Sequence, residues 1–133
     1  MAVGVVGLVG CSSSAGTPAA SPAPTSAAAA PEQPATAAAV ATGLRKIDQI
    51  AQGIAGSAGT DKAKATSLDG QIEPTWKTIE DTVKQNDPNT YLAMEDNFTV
   101  LEKAATDGDA AAATKGATAI SAAVQAYLAK YSG

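Results

Sequence analysis

Apolar residues recur at spacings of three and four through most of this sequence, and that period confines the folded part of the chain to helices. Val40, Leu44, Ile47, Ala51 and Ile54 form one stripe, ended by Gly56, Ser57 and Gly59. Leu68, Ile72, Trp76, Ile79 and Val83 form a second. Pro74 interrupts it, because a proline ring removes a backbone donor and biases the preceding residue away from the α region. The expectation is a kink between Gly70 and Glu73 or a helix that starts at Pro74. A turn at Asn86-Asp87-Pro88-Asn89 places Pro88 early in the next helix, whose stripe is Tyr91, Met94, Phe98, Leu101 and Ala105. Asp107-Gly108-Asp109 is a second turn with an N-cap. A last stripe follows, of Ala113, Ala117, Ile120, Val124, Tyr127 and Tyr131, with Leu128 beside it. No segment alternates as a strand does. Short connections between successive amphipathic helices favour neighbours running in opposite directions. The expected fold is all-α, an antiparallel up-down four-helix bundle over residues 37–133. With alanine at many contacts the helices can approach closely while burying little area, so stability should be modest.

Residues 12–36 cannot join such a core. Five of the seven prolines of the chain lie there, among Ala, Ser and Thr, with Glu32 as the only charge. The composition predicts a disordered linker biased to extended conformations, and at roughly 3 Å per residue it could hold the domain several tens of Å from its point of attachment. Whether it is a spacer through the cell envelope or a plain disordered tail, it excludes catalysis from this segment.

Before it, residues 2–10 are uncharged and small or apolar, and the only cysteine of the chain follows at Cys11. Nine residues fall far short of the ~20 that a helix needs to span a bilayer, but they suit the apolar region of a secretory signal. Leu8-Val9-Gly10-Cys11 resembles a bacterial lipobox. It implies cleavage before Cys11, a signal peptide over residues 1–10, lipid (palmitate-type) acylation of Cys11, and a cell-membrane protein anchored on the extracytoplasmic side. Two or more acyl chains anchor stably, at about 0.8 kcal/mol per buried methylene. No Lys or Arg precedes Cys11, and the expectation is that the sequence opens downstream of the true start. The alternative is an apolar arm with a free thiol, an unusual thing in a secreted chain.

Charge and side-chain chemistry restrict function further. The 133 residues include 13 acidic against 9 basic side chains and no His, for a net charge of −4. Nucleic acid is excluded as a partner, since it needs basic surface to displace counterions. Without His there is no Ser-His or Cys-His nucleophilic pair and no imidazole for zinc or copper. There is no Gly-rich phosphate loop and no paired-Cys metal spacing. We find no enzyme signature.

The residues that remain are acids beside the apolar stripes. Glu73 and Glu80 are seven apart, as are Glu95 and Glu102. At ~100° per residue each pair nearly eclipses itself, about 10 Å apart along its helix. Folding about the Asp87-Pro88 turn brings Glu80 level with Glu95 and Glu73 level with Glu102. The two acidic edges then face each other or both turn outward, according to the hand of the bundle. Facing each other beside Trp76, Tyr91 and Phe98, four carboxylates would suit a hard cation such as iron(III), calcium or magnesium. Turned outward, Glu73 and Glu80 would pair with Lys77 and Lys84 four residues on, whereas Glu95 and Glu102 have Thr99 and Thr106 there. Trp76, on its stripe, reads as core with its ring N–H bonded to a helix-end or side-chain acceptor; lining a pocket with Tyr91 and Phe98 is the other reading.

The stretch from Ile72 to Asp109, with Trp76 and Glu80, Tyr91 with Glu95 and Asp96, and the Gly108-Asp109 turn, followed by the alanine-rich helix that ends AVQAYLAKY at Tyr131, is similar in texture and spacing to the extracytoplasmic helical domains associated with bacterial high-affinity iron permeases. It resembles more weakly the helical repeats of imelysin-type iron-uptake lipoproteins. The His-containing metal motif of the imelysin group and the Arg-Glu-x-x-Glu motif of permease membrane helices are both absent. The resemblance implies an accessory part in iron or other cation handling, with a transporter or another envelope protein as partner. Lipobox, linker and Ala/Thr richness together resemble an actinobacterial envelope lipoprotein. The other function class open to the chain is a structural or protein-docking lipoprotein with no metal site.

Overall fold

The first helix, α1 (Ala37–Ser57), starts where the Thr36 side chain accepts a hydrogen bond from the Ala39 N–H at 3.2 Å, the arrangement of an N-cap. The computed structural model describes residues 33–132, and Cys11 with the signal and most of the linker lies outside the described residues. Among the described residues there are helices and turns and no strand. The helices after α1 are α2 (Lys62–Asp69), α3 (Ile72–Trp76), α4 (Glu80–Asn86), α5 (Pro88–Asp107) and α6 (Ala110–Tyr131).

Three of these helices match one expected segment. Where the sequence suggested a single helix interrupted at Pro74, the chain is broken twice. The first break falls at Gly70-Gln71, and Pro74 sits in the first turn of α3, where its missing N–H needs no partner. The second falls at Lys77–Ile79, where the Thr78 hydroxyl donates to the Thr75 carbonyl at 2.7 Å and the Ile79 N–H bonds the Trp76 carbonyl, three residues back, at 2.9 Å. A threonine that bonds the backbone locally competes with the regular helical ladder. Trp76 and Ile79 nevertheless both stay in the core.

Every residue of the first stripe is buried, and Leu44, Ile47 and Ile54 are fully so, each contributing roughly 1.5–3 kcal/mol of burial free energy. α1 packs along α6 and also against α2 and α3, while α5 packs along α6 and against α2 and α4. Small residues let these axes close up: Ala113, Gly116 and Ala117 are the buried face of the first half of α6. On α1 a side chain at Gly43 would put its Cβ 2.9 Å from Ile79 Cδ1, so glycine is what admits the second break against α1.

Polar bonds fix which parts of the helices lie side by side. Ser121 on α6 donates to Asp48, and the Gln52 amide donates to Ser121 Oγ at 3.0 Å. At one end Gly59 meets Ala110, and Gly108 lies against Lys62 with a left-handed φ of 79° that a side chain would resist. At the other end the turn before α5 is held by the end of α6. Asp87 caps α5 through the Thr90 N–H at 3.2 Å and pairs with Lys130 at 3.1 Å, while the Asn86 amide donates to the Tyr127 hydroxyl and the Tyr131 hydroxyl donates to the Asn86 carbonyl. The folded part also starts earlier than residue 37, since the Ala35 N–H donates to Thr82 Oγ1 at 2.8 Å.

Candidate functional site

Two walls make the candidate site, the broken α2–α4 segment and the first four turns of α5. Trp76 ends α3 completely buried, and its indole N–H donates to the carboxylate of Glu95 on α5. Tyr91 stacks on the indole at 5.9 Å between ring centres, and Phe98 meets it edge-on at 5.3 Å. Such a cluster ties α3 to α5 by apolar area and by one charge-assisted hydrogen bond. The bonded acceptor expected for Trp76 is therefore a side chain across the seam.

Beside this cluster opens a cleft of about 340 Å³, lined by Asp69, Ile72, Glu73, Glu95, Phe98 and Glu102 among others. Three of the four glutamates singled out in the sequence thus share one opening, so the edges face each other. Glu80, the first residue of α4, is half-buried and lies outside the lining. Of the three aromatic residues expected to line a pocket, only Phe98 does; Trp76 is core, and Tyr91 covers it.

Charge in this region is poorly balanced. Glu73 pairs with Lys77 at 3.1 Å with both side chains exposed, as the four-residue spacing suggested. The companion pair Glu80–Lys84 is not formed; Lys84 instead lies over the Tyr91 ring, 4.9 Å from its centre. Among the described residues, Asp69, Glu80 and Glu102 have no ion-pair partner. Burial pushes the Asp69 carboxyl above its ordinary value, and the negative charge of Glu102 adds to the effect. Burial likewise raises Glu80, followed by the charges of Asp81, Glu95 and Glu73, with Lys77 opposing them.

Asp69 is the residue that the sequence reading missed. It lies four before Glu73 and eleven before Glu80, spacings that keep one helical face. A search restricted to seven-residue glutamate pairs passes over it.

As placed, these carboxylates are not gathered around one point. Oxygen donors are the right chemistry for a hard cation, yet among the described residues no group of three or more His, Cys, Asp or Glu is placed to hold a metal ion. The expected set of Glu73, Glu80, Glu95 and Glu102 is divided: Glu95 is taken by the Trp76 N–H, Glu73 by Lys77, and Glu80 stands outside the cleft. Among the described residues no helix is long and apolar enough to cross a membrane. In comparison with known proteins, no family model, no curated protein and no solved structure matches the chain.

Proposed function

We propose that the protein is a lipid-anchored, extracytoplasmic lipoprotein of the cell membrane whose helical part docks an envelope protein, of which a transporter is one kind, through the acidic cleft between α2–α4 and α5. The observation that carries the docking part is how the carboxylates are used. Glu95 and Glu73 are engaged by groups of the chain itself, while Asp69, Glu80 and Glu102 keep uncompensated charge at or beside an open, half-apolar cleft. That arrangement suits lysines and arginines on a partner's surface, where complementary charge steers encounter and fixes register. It suits a resident cation poorly, and the cation reading is the outcome that the test below would restore. The anchor rests on the apolar run before Cys11 and on the linker composition. The likeness to permease-associated domains rests on the texture of residues 72–131 alone.

The four-part architecture belongs to the same proposal. Counting α2–α4 as one broken segment, the Asp48–Ser121 bond, the contact of Gly59 with Ala110 and the bonds from Asn86 and Asp87 to the end of α6 support an antiparallel up-down bundle. Cysteines introduced at Gln52 and Ser121 should then cross-link on oxidation; free thiols would count against it.

A photo-crosslinker at Thr99, on the rim of the cleft, should trap a discrete partner in intact cells, and Asp69→Lys with Glu102→Lys should remove the band. A band indifferent to charge reversal overturns the docking site. Calorimetric titration with calcium and ferric citrate should give no saturable heat; a single-site isotherm would bring back the cation. Mass spectrometry of Cys11 after membrane extraction should find an acylated residue, and an unmodified thiol would end the anchor.

A further inference from the structure

We propose that the seam between α2–α4 and α5 is an acid-tightened clasp: carboxylate repulsion seats the broken segment loosely at neutral pH, and relief of that repulsion seats it firmly. This concerns the domain's own conformation and holds whatever docks in the cleft.

The geometry supplies a hinge, a pin and a spring. α3 is only five residues long and is separated from its neighbours at Gly70-Gln71 and at Lys77–Ile79. A helix so short has no stability of its own, so packing alone holds it. Trp76 is the pin, buried between Tyr91 and Phe98 and bonded to Glu95. A carboxyl oxygen accepts that bond in either protonation state, more strongly when ionised, and the aromatic contacts on both faces of the pin carry no charge. The spring is the charge on both sides: Asp69, Glu73 and Glu80 on the broken segment, Glu95 and Glu102 on α5, with Asp81 adding its charge to Glu80 from the side of Pro34. Facing cations are few. Lys77 is engaged with Glu73 and Lys84 with the Tyr91 ring, Lys103 on α5 is bound to Asp107, and Lys46 of α1 lines a neighbouring groove with Gly70 and Thr75.

Asp69 and Glu80 are both raised in the folded chain from ordinary values of 3.8 and 4.5. The folded state therefore binds their protons more tightly than the unfolded state, and stability grows as pH falls through the folded values, complete below 3.8 and 4.5. Asp87 and Asp107 are lowered, and their contribution is lost only below 3.8. Stability should peak in mild acid.

The test uses the full chain. As pH is lowered from 7.5 to 4 its melting temperature should rise, and acrylamide should quench Trp76 less at the lower pH. A triple variant, Asp69→Asn, Glu80→Gln and Glu102→Gln, should melt above the parent at pH 7.5, by about a few degrees, and lose most of the further rise on acidification. Asp96→Asn, exposed on α5, should keep the parent's profile, which separates the seam from total charge. Should the triple variant not fold, Glu102→Gln alone is expected to move the same way by less. A parent profile that is flat or falls between pH 7.5 and 4, or neutralised variants that melt no higher at pH 7.5, overturns the clasp.

Discussion

The α1–α6 side and the α2–α5 side of this domain are built on opposite terms. Along α1 and α6, helices of 21 and 22 residues run unbroken, pack along each other and are joined, among the described residues, by a small polar network at Asp48, Gln52 and Ser121. Along α2–α5 the facing segment is in three pieces, the contact is aromatic, and the flank is acidic. The lesson is that continuous periodicity places the first side, whereas the second depends on contacts made across the seam. A helix of 21 residues draws on many intrahelical bonds; one of five must be held from outside.

Substitutions should expose that contrast. The largest effect is expected from Trp76→Ala, which empties the centre of the aromatic contact and should cost about 3–5 kcal/mol, read as a fall in the urea midpoint; Leu44→Ala on α1 should approach it, at about 2–5 kcal/mol. If Trp76→Ala costs less than Ala51→Gly on α1, the seam does not hold the second side. Next comes Glu95→Ala, which strands a buried indole N–H and should cost about 1–3 kcal/mol, while Glu95→Gln keeps an acceptor and most of the stability. Equal losses from the two would mean that the bond contributes nothing. Gly108→Ala, forced into a left-handed backbone and against Lys62, should cost about 1–2 kcal/mol.

A smaller effect concerns two aspartates. Asp87 is held below 3.8 by the Thr90 backbone N–H and by Lys130, so its contribution is present above 3.8 and disappears as pH falls through its folded value. Asp69 is shifted the other way. Lys130→Met should therefore weaken the fold at neutral pH and bring the acid limb of the melting profile to a smaller drop, leaving the rise between pH 7.5 and 4 intact. The smallest effect belongs to the exposed Glu73–Lys77 pair, whose removal by Lys77→Gln should change stability by less than about 0.5 kcal/mol.

How much was legible in the sequence follows the same division. The stripes of α1 and α6 are buried residue for residue from Val40 to Ile54 and from Ala113 to Tyr127, because an amphipathic period is a local property. The Asp87 and Asp109 caps and the turn at Gly108 were legible for the same reason. Pro74 announced a break, yet the second one, at Lys77–Ile79, depends on a threonine hydroxyl and on the space that Gly43 leaves on another helix. In the site, Glu73, Glu95 and Glu102, counted along the helices as facing edges, line one cleft. That Trp76 would claim Glu95, that Lys84 would turn to Tyr91, and that Asp69 would join the cleft are decided by side chains from separate segments.

The most direct measurement is a calcium titration, at constant ionic strength, followed on the single indole N–H resonance of Trp76. Its hydrogen bond to Glu95 makes it a reporter at the centre of the carboxylates. The resonance should hold its position to millimolar calcium, since the seam is closed by the chain's own groups. A saturable displacement complete near one equivalent would mean that the carboxylates gather around an ion, and the reading of this face as a docking surface would be wrong.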